Sequence, residues 1–494
     1  MVASMAAPLH ACLDVAGPTP ATPERRAHLD HNTLQEVSMK KNDVSPVMLK
    51  LSQYISEAVT QPVPKEVSER AKLHLIDTFA AMISGSRLEP GVKAIQYIAA
   101  QGGTPQAGII GTDIVTTVQN AALANGMLGH ADETDDTHPP SSTHPGTAVV
   151  PAALAIGERD QLSGEEVLRG IIVGYDVGPR MLLALRPVPY QLLGHHAASA
   201  GGLWGAAGAA ASLSKLTPVQ VRYALSYTGQ QHAGLYTMFR DPQHIEKAFA
   251  MGGMSSHNGL QAAAMAACGW TGVEDIFSGE RDFFHAFGPE GFDREALARG
   301  LGENYEMMRA SIKRWPIGGP IQGPMHVLHD LMQEHRFQLG DVDKVMANMP
   351  DKELMIVDNR PMPDICVQHL LAIMLIDGEL TFKSAHDYAR MDDPKVLEVR
   401  SRMHAIPDAS LTDVQRRWRC VMEVHLKNGT VLKGQTMSAK GSFENPLSPD
   451  EENAKALDLI VPILGKERSQ TLLDTLWNFE RIGDVRSLRA LYRA

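Results

Sequence analysis

The sequence predicts a mainly α protein, built as a large all-helical domain with a smaller α+β domain inserted before the C-terminal helices. Three observations carry this. Aromatic residues make up only 5% of the 494 positions. The abundant Ala, Gly, Leu and Met suit close-packed helices better than a β sandwich. Apolar residues recur at helical spacing through most of the chain before residue 308. Beyond that point short alternating runs appear. One of them, Cys420–Leu426, is followed by Asn428-Gly429 and Thr430–Leu432, the signature of a two-residue hairpin.

The elements follow in order. Residues 1–44 mix Pro, Ala, His and charge without a basic stretch leading into a continuous apolar run. They read as a poorly ordered extension rather than a secretory signal, and Asp14, Glu24 and Asp30 weigh against a transit peptide. The helical pattern begins near Val47. Pro64-Lys65-Glu66 opens a helix in which Val67, Ala71, Ile76, Phe79, Ala80 and Ile83 share a face, and Gly85 stops it. Gly108–Thr112 reads as a turn. Val118–Gly129, Val149–Glu158 and Glu165–Val177 read as helices. Gly201–Ser214, almost all Gly, Ala and Ser, reads as a buried helix on which neighbours pack closely. The first domain takes residues 45–307 and regains the chain at 446–494, where Glu451–Leu491 is helical again. Residues 308–445, with a β-like run at Lys344–Met349 and a helix at Ile365–Asp377, form the second domain.

Composition excludes several classes of function. The formal net charge is -11 and no long Lys/Arg run exists, so neither nucleic acid nor a membrane surface is an expected partner. No apolar run reaches the roughly 20 residues that cross a bilayer. The four cysteines are scattered, so no disulfide framework or CxxC metal knuckle is expected, and a reducing, cytoplasmic setting fits. Cys268 and Cys366 sit in apolar runs and read as core, which weakens a cysteine nucleophile. No G-x-S-x-G elbow offers a serine one. No strict GxGxxG follows a strand, and no cofactor is expected.

The densest chemistry lies between His130 and Gly146, where three His, four carboxylates and five hydroxyls crowd together. Ala/Val-rich helical stretches flank the run, and polar groups held between apolar helices need mutual hydrogen bonds. Three readings are open: a divalent metal site of His and carboxylates, a helix cap with an exposed acidic turn, and a metal-free acid/base site.

His130–Thr137 resembles the H-x-x-D-x-D-D-T signature of the MmgE/PrpD family, and Thr143-His144-Pro145 resembles its H-P step. Further likenesses run over about residues 45–490. They include Glu69–Lys72 with Ile76-Asp77-Thr78, Gly194-His195-His196, Glu246–Phe249 before Asn258-Gly259, Lys313–Pro316, Asn359-Arg360-Pro361 and Ile376-Asp377-Gly378. The resemblance implies a cofactor-independent lyase or isomerase, with the α+β domain as a lid over a helical domain, assembled as a homodimer. It implies His144, His196, Glu133 and Thr137 as catalytic residues, Lys247 and Lys313 as binders of a small di- or tricarboxylate, and no metal. A hydro-lyase on a 2-methylcitrate-like hydroxy-polycarboxylate is the first expectation. A cis-aconitate-type decarboxylase, a carboxylate epimerase and a non-catalytic carboxylate-binding paralogue are the alternatives.

The residues suit such chemistry. Lysines can clamp carboxylates and hold developing negative charge, and histidines titrate near working pH. Removing Lys247 or Lys313 is expected to weaken substrate handling more than folding. The blander readings are a surface ion pair for Lys247 with Glu246, a solvated face for Lys313 with Arg314, and a structural role for His196 or a swap with His195. Departures from the family pattern are Glu133 where Asp is usual, Ala248–Met251 where a His often follows the lysine, one extra residue between Lys247 and Gly259, and Gly318 and Gln322 after Pro316.

Overall fold

Side-chain oxygens start the helices. Ser45, Thr117, Ser163, Thr217 and Ser448 each accept a hydrogen bond from a backbone N–H in the first turn. Each satisfies a donor that the helix itself leaves free. The helices they open are Pro46–Glu57, Val118–Gly129, Gly164–Leu185, Pro218–Gln230 and Pro449–Leu464. The computed structural model describes residues 44–494, all in one unit. The extension read for residues 1–44 lies, Val44 apart, outside the described residues.

Two hydrophobic cores form. The first is built by helices between Pro46 and Ala267 together with the C-terminal ones, which supply Leu459, Ile460, Leu472, Phe479 and Tyr492. Its centre is the glycine-rich helix Ala197–Leu213, every residue of which is buried. This helix meets Gly164–Leu185 backbone to backbone. A Cβ on Gly178 would stand 2.3 Å from the Gly201 carbonyl oxygen, and one on Gly205 2.8 Å from that of Gly174. Gly178→Ala is therefore expected to force the helices apart and to destabilise by about 3 kcal/mol. A melting temperature within experimental error of the parent would contradict the close crossing.

The second core lies under a four-stranded sheet of order β4-β3-β5-β6. Its strands are β3 (Val342–Pro350), β4 (Met403–Asp408), β5 (Cys420–Leu426) and β6 (Val431–Thr436). β3 runs parallel to β4 and antiparallel to β5. Alternate residues Cys420, Met422 and Val424 face inward. The joint between β5 and β6 is a three-residue loop, Lys427–Gly429, rather than the expected two-residue turn: Leu426 N–H donates to the Thr430 carbonyl at 2.8 Å, and Gly429 at φ 89° takes the one left-handed position. Helices Gln322–His335, Val367–Asp377 and Pro394–Arg400 pack on this core.

Two further expectations need correction. The first part is not all-helical, because Gly108–Thr112 belongs to a small hairpin between β1 (Ala107–Gly108) and β2 (Val115–Thr116). Strands of two residues carry no periodic signal. Neighbouring helices hold them instead: Asn125 donates to the Gly108 carbonyl and accepts from Ile110 N–H, and Glu158 accepts from Gly108 N–H. Cys268 is exposed at the end of helix Met254–Ala267, whereas Cys366 and Cys420 are buried. Its apolar neighbours belong to the helix, and Cys268 only closes it. No helix among the described residues is long and apolar enough to cross a membrane.

Candidate active site

The loop from His130 to Pro145 joins helices Val118–Gly129 and Gly146–Asp160, and only Ser142 and His144 in it are not buried. An exposed acidic turn is thereby ruled out. Buried carboxylates cost several kcal/mol each unless they are paired, and this loop pairs all four. Asp136 accepts from His74 Nδ1, Tyr175 Oη and the backbone N–H of Gly146, at 2.7, 2.6 and 3.0 Å. Asp132 accepts from the backbone and hydroxyl of Thr134 and forms an ion pair with His386 at 2.9 Å. Lys455, from the C-terminal helix Pro449–Leu464, bridges Asp77 and the Thr134 carbonyl.

The other two carboxylates organise the cations. Glu133 is ion-paired with Lys247. Lys313, with only 1% of its side chain exposed, donates to the Glu133 carbonyl at 2.7 Å and to Asp135 Oδ1 at 3.2 Å. Asp135 Oδ2 lies 2.7 Å from His144 Nδ1 and 3.0 Å from His130 Nδ1. An ionised carboxylate only accepts, so both imidazoles donate from Nδ1 and keep Nε2 for other work. Burial opposes ionisation of these carboxyls, but neighbouring cations outweigh it. Lys247 and Lys313 hold Glu133 well below the usual carboxylate range, and His130, Lys313 and His144 do the same for Asp135.

His196 caps helix Ala197–Leu213. Its Nδ1 accepts from the backbone N–H of Ser199 at 3.2 Å, which leaves the ring proton on Nε2. Burial, then the charges of His144 and Lys247, push its pKa well below the ordinary value, so the ring is neutral. Phe239 links it to the cations, with its ring 5.3 Å from the His196 ring and 5.3 Å from Lys247 Nζ. Thr137 makes its contacts within the loop and with Ser311. Its hydroxyl donates to the Thr143 carbonyl at 3.2 Å, and its backbone pairs with Ser311.

The structure thus joins Glu133, His144, Lys247 and Lys313 directly and His196 through Phe239, while Thr137 props the loop. Three residues that sequence reasoning missed also converge here. His244 precedes Lys247 by one helical turn and packs its ring 5.1 Å from that of His130. Asp364 and His386 come from the second part of the chain, and the nearby motifs gave no sign of them. The extra residue after Lys247 forms a π-helical turn at Phe249–Gly253. Such turns recur at functional sites.

His386 gives the site a pH signature. Burial disfavours its charged form, but the hydrogen bond and charge of Asp132, with Asp364 behind, raise its pKa to about 9. A raised histidine pKa stabilises the fold fully below the unfolded value of 6.5 and loses that contribution as pH rises through about 9. The difference is worth about 3 kcal/mol. The parent should therefore melt progressively lower from pH 6.5 to 9, and His386→Gln should flatten that slope. Parallel curves for the two proteins would remove the His386–Asp132 pair from the stability of the fold.

The buried cluster thus gathers ammonium groups, carboxylates and imidazoles, the side chains that pair with anions and exchange protons. Residues 49–295 match the MmgE/PrpD N-terminal domain and residues 315–480 the MmgE/PrpD C-terminal domain. The chain belongs to the MmgE/PrpD family. A cis-aconitate decarboxylase-like protein, oryM, of Aspergillus oryzae is 23% identical over 476 residues, which cover 90% of this chain and 97% of that protein. Cis-aconitate decarboxylase of Aspergillus terreus is 22% identical over 488 residues, covering 92% and 97%.

Proposed function

We propose that the chain is a lyase working by acid/base chemistry on a small tricarboxylate, with decarboxylation of a cis-aconitate-type substrate as the preferred reaction. The observation that carries this is His144. Of His130, His144, His196 and His244 it alone is not fully buried. Its Nδ1 is anchored on Asp135 and its Nε2 is left for a reacting proton. The relatives named above support decarboxylation over the dehydration that was the first expectation from the family resemblance.

The steps follow from the side chains. Lys247, 13% exposed, exchanges Glu133 for a substrate carboxylate. The bond from carbon to a second carboxylate breaks, CO2 leaves, and the electron pair spreads into the adjoining double bond. The ammonium groups lower the energy of that charge. His144 delivers a proton to carbon, and the neutral His196 donates from Nε2 to a substrate oxygen. Glu133 reclaims Lys247 as product leaves. A homodimer, with the second core acting as a lid over the site, belongs to the same reading.

A hydro-lyase is the second reading, favoured by the Nε2 proton on His196, which suits a leaving hydroxyl. The test is to offer the purified chain, in chelator, cis-aconitate and 2-methylcitrate separately, following proton NMR and CO2. Release of CO2 from cis-aconitate is expected. Loss of water from 2-methylcitrate without CO2 would move the chain to the hydro-lyases. Saturable binding with no turnover of either would make it a carboxylate-binding protein.

A further inference from the structure

We propose that His130, Glu133 and His244 form a site for a divalent transition metal of the zinc type, one that competes with Lys247 for Glu133. One ligand atom from each of the three lies within 4.8 Å of the others. All three residues are buried. The Nε2 atoms of His130 and His244 are both buried with no hydrogen-bond partner. A buried polar atom without a partner is costly, and here two neighbouring imidazoles each carry one close to a carboxylate.

The tautomer at His130 fits. Its Nδ1–H donates to Asp135 at 3.0 Å, so Nε2 presents a lone pair. This is the arrangement in which a carboxylate orients a metal-bound histidine. His244 is aimed by its backbone. It stands in the left-handed region at φ 63°, a strained conformation for a residue with a side chain. Asp241 fixes the next turn by accepting from Glu246 N–H at 2.6 Å. Two imidazoles and one carboxylate match a zinc site that keeps a fourth position open. Ligands on a tetrahedral ion at bonds of about 2.0–2.1 Å sit roughly 3.3–3.5 Å apart, so the three atoms, already within 4.8 Å, have to draw together on binding.

The neighbouring triad of His130, Asp135 and His144 also brings its atoms within 4.8 Å. It is already explained, because two N–H groups share one carboxylate oxygen. The competition follows from charge. Lys247 pairs with Glu133, and an ammonium and a dication cannot share that carboxylate at close range. The site shares Glu133 and Lys247 with the acid/base reading above, but its test needs no substrate, so the two readings can fail separately.

The experiment titrates the untagged full chain, freed of metal by chelator and desalting, with Co2+. Ligand-field absorption in the visible reports binding, and Zn2+ is then added as competitor. One Co2+ per chain is expected, displaced by one Zn2+. Loss of a direct ligand should cost at least as much as loss of an outer partner, so His244→Gln and Glu133→Gln should each weaken binding by about 10- to 100-fold or more. Lys247→Met should tighten it at least about tenfold by removing a like charge. That gain keeps the test decisive should His244→Gln not fold. Absence of saturable Co2+ binding in the parent, a signal that survives His244→Gln and Glu133→Gln, or weaker binding in Lys247→Met would each overturn the proposal.

Discussion

His144→Gln is expected to melt like the parent and to lose turnover by about 100- to 10,000-fold, the range for one positioned acid/base group. The structure isolates the proton in this way. Glutamine can still donate to Asp135, so the anchor at 2.7 Å has a substitute. Pro145 restricts the backbone at residue 144, and the His144 carbonyl accepts from the Thr147 hydroxyl at 3.0 Å. Neither contact uses the imidazole. What glutamine cannot do is exchange a proton with substrate. The measurement is kcat against pH for both proteins, with thermal melting as control. A mutant that keeps more than about a tenth of parent kcat lies below the usual range and would pass the role to His196.

Lys313→Met is expected to strike the fold as hard as the chemistry. The sequence treats Lys247 and Lys313 alike, as two clamps. The structure separates them. Lys313 is 1% exposed and holds the Glu133 carbonyl and the Asp135 carboxylate together. Its own pKa is raised, since Asp135 and Glu133 outweigh the effect of burial. Removing it leaves two buried carboxylates short of a cation, which typically costs about 3–5 kcal/mol. Lys247, more exposed and paired through one contact, should lose turnover by about 10- to 100-fold with little change in melting. Chemical denaturation and kcat/KM on both variants separate the two effects. Equal stability for Lys313→Met and Lys247→Met would contradict the division.

Much of this was legible before the structure. The glycine-rich helix announced a buried crossing because only small residues let two backbones meet. Asn428-Gly429 announced a hairpin because Gly takes positive φ without strain, although the loop has three residues, not two. The His130–Gly146 run announced a buried, mutually paired cluster because so many polar groups between apolar helices have to pair. Partners far along the chain were not legible. His386 reaches Asp132 across more than two hundred residues, and nothing near either one signals the other. His244 was passed over because the site is expected after the lysine, whereas here a left-handed turn brings an imidazole in from before it. The extra residue after Lys247 was visible as a spacing. Its outcome, a π turn with Gly252 lying against Gly126, depends on a helix contact that no local pattern encodes. β1 and β2 escaped because side chains from distant helices, rather than an alternating pattern, hold them.

We place the binding and reaction of a carboxylate substrate, as proposed above, at the cluster around His144. A crystal structure of His144→Gln grown with cis-aconitate tests it most directly, because the variant should hold the substrate without consuming it. One carboxylate is expected on Lys247 Nζ, released from Glu133, with an oxygen within about 2.6–3.2 Å of His196 Nε2 and the bond to be broken facing residue 144. A ligand seated away from these residues, or Lys247 still paired with Glu133 beside a bound ligand, would contradict it.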